Sequence, residues 1–250
     1  MTRALAEETP VALVYDGTTQ AVMMATPSDL TDFAIGFSLS EQIVSSPAQI
    51  TRLERHDQPL GVEMRLWLSP EAKATLGTRR RTMAGPVGCG LCGVESLEAA
   101  LRPLPALSGD TRFDRSALMH ALNSMRRFQP LHTSTRATHA AAFHASGTFL
   151  LREDIGRHNA LDKLIGARAR ARVGQTCAEG AVLLSSRVSI EMVQKAVLAR
   201  APVLVSISRP TALAVSVAQA CGLTLACRAN GTLEVFTHPE RISGGASHVV

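Results

Sequence analysis

One tryptophan and one tyrosine stand in a chain of 250 residues. Proteins that hold nucleic-acid strands stack bases on aromatic rings, so this scarcity argues against the reading of DNA or RNA. Long apolar runs are missing as well. Residues 181–184 and 202–207 are among the longest, whereas a membrane helix needs about 20 apolar residues in a row. The first ten residues are polar and acidic where a secretory signal is basic and then apolar, so no membrane contact and a cytoplasmic location are expected. Cysteine is sparse too. Cys89, Cys92, Cys177, Cys221 and Cys227 do not form the dense, even framework of a secreted disulfide scaffold, and a reducing compartment suits them better.

What is present is a modest basic excess. The 26 Lys and Arg against 21 Asp and Glu give a formal charge of +5, with clusters at Arg79-Arg80-Arg81 and at Arg168, Arg170 and Arg172. Such clusters are more often solvated surface than binding sites, though they leave room for a phosphate-bearing ligand. The 46% hydrophobic content is enough to bury one large core or two unequal ones.

Local patterns then divide the chain. Residues 11–15 and 20–25 read as short strands around the hairpin signal Asp16-Gly17. A helix follows from Ser28 or Asp29, with Leu30, Phe33, Ala34 and Phe37 on one face. Residues 53–68 read as two strands about Asp57-Gln58-Pro59, with Val62, Met64, Leu66 and Leu68 alternating against Glu63, Arg65 and Trp67. They lead into a basic, glycine-rich loop that carries the first two cysteines. The linker Arg102-Pro103-Leu104-Pro105 is the softest boundary, between an N-terminal α+β portion, 1–105, and an α/β core, 106–250. Helix is expected at 114–128, paired strands at 142–151, helix at 158–171, buried strands at 181–184 and 202–207, and a helix between them at 189–200. Pro210 suits the first turn of the next helix and Gly222 its left-handed end. A hairpin across Asn230-Gly231 closes the pattern. Strands alternating with helices in this way predict a layered α/β fold with a mixed, partly parallel sheet.

Gly88-Cys89-Gly90-Leu91-Cys92-Gly93 runs straight into residues 94–101, whose apolar spacing is helical. The pair is therefore expected just before a helix N-terminus, where free N–H groups and the dipole stabilise a thiolate. Zinc, a redox dithiol and a persulfide all use this spacing. Zinc needs two more ligands, and no second Cys-X-X-Cys or His-X-His cluster is present. A thioredoxin-like dithiol has no matching strand before it. A persulfide carrier needs one nucleophilic cysteine to take a sulfane sulfur and a second to assist or resolve. A disulfide or an inert buried pair is the plain alternative, and spacing alone leaves the matter open. Cys177, Cys221 and Cys227 are isolated and read as buried packing.

Two other stretches concentrate polar chemistry. In Arg152-Glu153-Asp154-Ile155-Gly156-Arg157-His158-Asn159-Ala160-Leu161-Asp162-Lys163, the last two residues read as a salt bridge on a surface helix. Arg157, His158 and Asn159 at its start read as donors for phosphate. Ser185-Ser186-Arg187-Val188-Ser189-Ile190-Glu191 follows a buried strand and opens a helix, which is where open α/β sheets bind ligands, so Ser186 and Arg187 join the candidates. Ser189 reads equally well as that helix's cap. Ser208-Arg209-Pro210-Thr211 repeats the placement one strand on.

With these residues in hand, the chain resembles the FdhD family, sulfur carriers required for active formate dehydrogenase. The likeness is carried by Ala25-Thr26-Pro27, Ala34-Ile35-Gly36-Phe37 and Glu41, the cysteine loop, Thr138-His139-Ala140-Ala141-Ala142 and the long string from Arg152 to Lys163. It continues through Ser185-Ser186-Arg187-Val188-Ser189, Pro210-Thr211 and Thr237-His238-Pro239-Glu240-Arg241-Ile242. The resemblance implies sulfur transfer from a cysteine desulfurase to the bis-molybdopterin guanine dinucleotide form of the molybdenum cofactor, a homodimer, and a core similar to cytidine deaminases. It assigns the persulfide to Cys89, with Cys92 assisting, and cofactor contact to Phe236, Thr237, His238, Pro239, Glu240 and Arg241. The rival expectation is a non-catalytic chaperone for cofactor or apoenzyme, with structural zinc on the cysteines. Deaminase chemistry is not implied, because His139 lacks a His-X-Glu partner and no Pro-Cys-X-X-Cys follows. The chain departs from the family pattern at Thr135-Arg136-Ala137, where members tend to have Thr-Gly-Gly, a change expected to narrow a crevice, and at Cys227.

Overall fold

The computed structural model describes residues 4–82, 103–145, 147–171 and 180–244. The expected cysteine loop with Cys89 and Cys92, the helix at 94–101, and Cys177 lie outside the described residues.

Period-two alternation builds a first sheet from β1 (Thr9–Tyr15), β2 (Thr18–Ala25), β3 (Ile50–Gln58) and β4 (Gly61–Leu68). Val11, Leu13, Val62, Met64, Leu66 and Leu68 turn to one face and are buried, while Glu63, Arg65 and Trp67 take the other. Asp16 and Gly17 turn the first hairpin with φ of 48° and 81°, the left-handed pair that a two-residue turn demands. The strand order is β2-β1-β4-β3, parallel only between β1 and β4. Helix α1 (Leu30–Ser40) lays Leu30, Phe33, Ala34 and Phe37 on the apolar face, as the spacing predicts. Helix α2 (Pro70–Thr82) adds Ala72 and Leu76. It replaces the start of the expected basic loop. Pro70 opens it at a position that needs no N–H, Ser69 Oγ accepts from the Ala72 N–H, and arginine is a good helix former.

The second half contains β5 (Phe113–Asp114), α3 (Arg115–Ser124), α4 (Pro130–Thr135), β6 (His139–Ala145), β7 (Thr148–Asp154) and α5 (Arg157–Ala171). It continues with β8 (Ala181–Leu184), α6 (Ile190–Leu198), β9 (Val203–Ser206), α7 (Ala212–Ala220), β10 (Thr224–Ala229), β11 (Thr232–Val235) and β12 (Ile242–Ser243). Six strands form a mixed sheet in the order β11-β10-β9-β8-β6-β7, in which β8, β9 and β10 run parallel. The short apolar runs of β8 and β9 are buried on both faces, the mark of central strands between helical layers. On one face α5, α6 and α7 set Leu161, Leu164, Met192, Val193 and Ala214 over Val182, Leu184 and Leu204. On the other, Leu118 and Leu122 of α3 cover Leu183, Val203 and Val205. Pro210 lies just outside α7, whose cap is Thr211, and Gly222 follows the helix at φ 72°.

The two sheets meet through α1 and α5. A Cβ on Gly36 would stand 1.7 Å from the Asp162 carbonyl oxygen, and one on Gly166 1.9 Å from that of Asp32, so only glycine lets these backbones touch. Asp162 and Lys163 are buried in this contact, not on a surface helix as their charge suggests. Lys195 Nζ donates to both Asp162 carboxylate oxygens at 2.8 and 2.9 Å, to Ser40 Oγ at 2.8 Å and to Glu41 at 3.0 Å. Lys163 pairs with Asp154 at 2.7 Å and donates to the Thr26 carbonyl at 2.9 Å. A buried charge left alone is costly, so each lysine meets a carboxylate of its own half, Asp162 or Asp154, and further acceptors from the first half at Ser40, Glu41 and Thr26.

Candidate functional site

Strand direction gathers several candidate residues at one edge of the large sheet. Leu184 and Ser206 end β8 and β9 side by side, Ala141 near the start of β6 lies opposite Leu184, and His139 faces Asp154 at the end of β7. The starts of α5 and α6 therefore open at this edge, bringing Arg157, His158 and Asn159 together with Ser186, Arg187, Ser189 and Glu191. This is where sheets of this kind bind ligands.

The residues at the edge divide into structural and available ones. Asn159 Nδ2 donates to the Met24 carbonyl at 2.8 Å and to Asp154 at 3.1 Å, so its amide donors tie β2 to α5 and do not reach outward. Asp154 also accepts from the N–H groups of Thr26 and Gly156. Ser186 is buried, its hydroxyl donating to the Arg187 carbonyl, while Arg187 is exposed. Ser185 Oγ accepts from the Ala140 N–H and fixes the end of β8 against β6. Glu153 accepts from the N–H groups of Leu131 and His132 and from Thr138 Oγ1, which anchors the start of α4.

At this edge four buried atoms have no hydrogen-bond partner among the described residues: Arg157 Nε, His158 Nε2, Ser189 Oγ and Glu191 Oε2. Ser189 occupies the N-cap position of α6, yet its hydroxyl caps nothing. It stands near enough to favour the Glu191 carboxylate without making a hydrogen bond of good geometry to it. Burial, then the neighbouring Arg157 and Lys195 cations, push the His158 pKa down to about 4, so its imidazole is neutral at physiological pH. His139 is lowered for the same reasons, burial first and then Arg157 and His132. Burial raises the Glu191 carboxyl, but Ser189, its own backbone N–H, the Arg157 charge and His158 when protonated outweigh this, and the net shift is downward.

Residues 236–241 lie at the other edge. The Phe236 N–H donates to the Leu225 carbonyl, and Thr237 Oγ1 accepts from the Leu225 N–H and donates to the Leu223 carbonyl at 2.6 Å, near the start of β10. Roughly 10 Å of strand, at about 3.3 Å per residue, separates the two edges. Arg241, expected to face a phosphate, is buried and donates to the carbonyls of Gly222 at 2.6 Å and Leu107 at 3.4 Å. These carbonyls follow the end of α7 and the linker, where a cation is well placed. His238, left-handed at φ 48°, sits 3.0 Å from the Gln219 carbonyl and 3.2 Å from Glu240. Phe236 and Pro239 are half-buried and Glu240 is exposed, so the outward chemistry of this segment belongs to them and not to Thr237 or Arg241.

Cys221 and Cys227 are buried and free, and burial pushes both thiols up, which suits inert packing. Among the described residues, no group of three or more His, Cys, Asp or Glu is placed to hold a metal ion. Among the same residues, no helix is long and apolar enough to cross a membrane. Sequence reasoning missed the half-buried Glu41 and the buried Lys195 as partners, and it offered no role for the buried Glu153. Arg136 is exposed and left-handed at φ 60° after α4, at a position where a glycine is the natural residue.

A mixed α/β chain of this architecture has a solved counterpart. A formate dehydrogenase accessory protein from Desulfotalea psychrophila superposes with a TM-score of 0.72 over 97% of this chain and 92% of its own, at 23% identity, and shares the fold. Residues 6–243 match the FdhD/NarQ family. A sulfur carrier protein FdhD from Bordetella petrii is 47% identical over 241 residues, 95% of this chain and 86% of that protein. Another from Xanthomonas oryzae pv. oryzae is 47% identical over 246 residues, 97% of this chain and 87% of that protein. The chain belongs to the FdhD/NarQ family.

Proposed function

We propose that this protein is a sulfur carrier that takes persulfide sulfur from a cysteine desulfurase and delivers it to the bis-molybdopterin guanine dinucleotide cofactor of a formate dehydrogenase. The observation that carries the reading is the Cys89-Gly90-Leu91-Cys92 pair in a chain of this family. The Cys89 thiolate attacks the terminal sulfur of the desulfurase persulfide. Its S–S bond breaks, the desulfurase cysteine leaves as a thiolate, and a persulfide forms on Cys89. Attack of the Cys92 thiolate on the inner sulfur then forms a Cys89–Cys92 disulfide and expels hydrosulfide, so the dithiol supplies the two electrons that reduce the sulfane sulfur. The cofactor is the recipient substrate, held near the α5–α6 edge, where Arg157 and Arg187 supply cationic donors. The outward groups of residues 236–241 are a second contact. The same reading has a cytoplasmic homodimer, an N-terminal portion of residues 1–105, and a core of residues 106–250 layered like cytidine deaminases without their reaction.

Mass spectrometry after incubation with a desulfurase and cysteine tests the loading step. One added sulfur, about 32 Da, is expected on the Cys89 peptide. An adduct found only on Cys177, Cys221 or Cys227, or none, overturns the assignment. Cys89→Ala abolishes transfer on this reading, while Cys92→Ala retains part of it.

A further inference from the structure

Residues 111–139, which supply α3, α4 and the turn between them, hold five arginines and a single carboxylate, Asp114. Asp114 caps α3 by accepting from the Ala117 N–H at 2.8 Å, and Arg115 is tied to the Gly244 and Leu233 carbonyls. Arg126, Arg127 and Arg136 are exposed and make no side-chain ion pair among the described residues. Exposed Arg228 joins them from β10, donating to the Asn123 side chain near the end of α3 at 3.3 Å. The layer is therefore positive and unneutralised.

The core fixes the direction of these groups. Met125 is fully buried, so the 3-10 turn Met125–Phe128 sends its next three side chains outward. Phe128 stays 54% exposed while its ring lies 4.9 Å from that of Phe149 on β7, which holds an apolar face open beside Arg126 and Arg127. Arg136 ends α4 left-handed at φ 60°, a conformation that disfavours any side chain and that glycine adopts freely. Strain at an exposed, unpaired arginine is typical of a residue kept for binding.

Nucleic acid, lipid and protein all present anions. Single-stranded nucleic acid stacks successive bases on a row of rings, and Phe128 is the one exposed ring of this layer. A lipid surface takes up an apolar helix face, whereas the exposed positions of α3 are Ser116, Ala117, His120 and Asn123. A protein face fits, because an aromatic anchor beside arginines is the make-up of interface hot spots.

We infer that the α3–α4 layer docks an acidic face of the enzyme that receives the cofactor, with carboxylates on Arg126, Arg127 and Arg136 and an apolar side chain on Phe128. The inference rests on the proposed delivery to a formate dehydrogenase, and it adds the surface that meets that enzyme. Position selects the recipient over the sulfur donor. Glu153, which anchors the start of α4, is the chain neighbour of Asp154 at the edge where the cofactor is proposed to sit, so a partner seated on α4 reaches that edge.

Biolayer interferometry of the full chain against a purified apo-formate dehydrogenase tests this, beside persulfide loading of Cys89 by a desulfurase. Parent affinity is expected to fall at least about fivefold between roughly 50 and 300 mM salt, because exposed charges are screened. Arg126→Ser/Arg127→Ser and, separately, Phe128→Ala are expected to bind at least about tenfold more weakly at the lower salt while loading Cys89 normally. Arg136→Gly is expected to weaken binding yet raise the thermal midpoint, a pair of effects that a purely structural arginine does not give. Variants that bind apoenzyme as tightly as the parent overturn the inference, and so does a parent that loads Cys89 but binds no apoenzyme. Both results leave the loading step standing. A parent that takes no sulfur on Cys89 overturns the carrier reading and the inference with it. The inference also falls if these variants lose desulfurase binding, adhesion to phosphatidylglycerol vesicles or self-association while apoenzyme binding is kept. Should circular dichroism show that Phe128→Ala does not fold, the arginine variants decide.

Discussion

Gly36→Ala sets two effects of known size against each other. Alanine in a helix interior is favoured over glycine by roughly 1 kcal/mol, so helix propensity alone forecasts a more stable protein. The contact geometry forecasts the opposite. The new Cβ would lie 1.7 Å from the Asp162 oxygen, 2.6 Å from its carbon and 2.8 Å from the Gly166 nitrogen, all backbone atoms that no rotamer change can move, and ordinary contact begins at 3.4 Å. The helices must therefore part by about 1.7 Å, the difference between those two distances. Overpacking of this kind costs about 1–3 kcal/mol. The same separation also stretches the 2.6 Å bond from Ser40 to Asp162 and the 2.8 Å bond from Lys195 to Ser40, which cross the interface. Weakening a buried, matched charge adds to the loss, and the net expectation is about 2–4 kcal/mol of destabilisation. For a chain of this length that lowers the thermal midpoint by roughly 5–15 °C. Thermal and urea unfolding followed by circular dichroism measure it directly. A midpoint equal to or above that of the parent would refute the close-contact argument. Gly166→Ala is expected to behave alike, and the double variant to cost less than the sum, because the helices have already parted.

Arg136→Gly is expected to stabilise the protein by about 0.5–1 kcal/mol, since it relieves a left-handed non-glycine residue, and a denaturation midpoint that fails to rise counts against that strain. Arg241→Ala removes the donors to Gly222 and Leu107 and leaves buried carbonyls unpaired, so it should cost about 1–3 kcal/mol in unfolding measurements. Unchanged stability would restore the phosphate-facing role. His158 has a folded pKa of about 4, below its ordinary value, so burial of the neutral ring favours folding above pH 6.5. That contribution is lost as pH falls from about 6.5 toward about 4, and stability profiles of parent and His158→Gln should converge on acidification across this window.

Much of the architecture was legible because it follows from local rules. The alternation of Val62, Met64, Leu66 and Leu68, the Asp16-Gly17 and Asn230-Gly231 turns, and the short apolar runs of β8 and β9 each specify their element without help from distant residues. The site edge was half legible. Arg157, His158, Ser186 and Arg187 follow from the rule that ligands sit where parallel strands end, and the fold brings them to one edge. Charged residues in helices misled the reading. Asp162, Lys163 and Lys195 look like surface on any composition scale, and their burial becomes tolerable through nearby Asp154 and the arrival of Ser40, Thr26 and Glu41 from distant segments. Arg241 misled for a similar reason, since nothing in Thr237-His238-Pro239-Glu240-Arg241 says that its donors end on the backbone after α7.

The Lys195 contact with Ser40 spans 155 residues of chain. During synthesis, at about 5–20 residues per second, the inner face of α1 waits roughly 10–30 s before Lys195 is made. Within that interval Asp32 gains Arg152 and Arg170 and the groove at Gly36 receives α5, whereas Ser40 and Glu41 wait for the Lys195 ammonium of α6. A ribosome-bound chain is thus expected to hold its first sheet unlocked until α6 has emerged. Release of the N-terminal portion by itself, as by a nonsense codon near residue 150, would yield a polypeptide that protein quality control treats as unfinished.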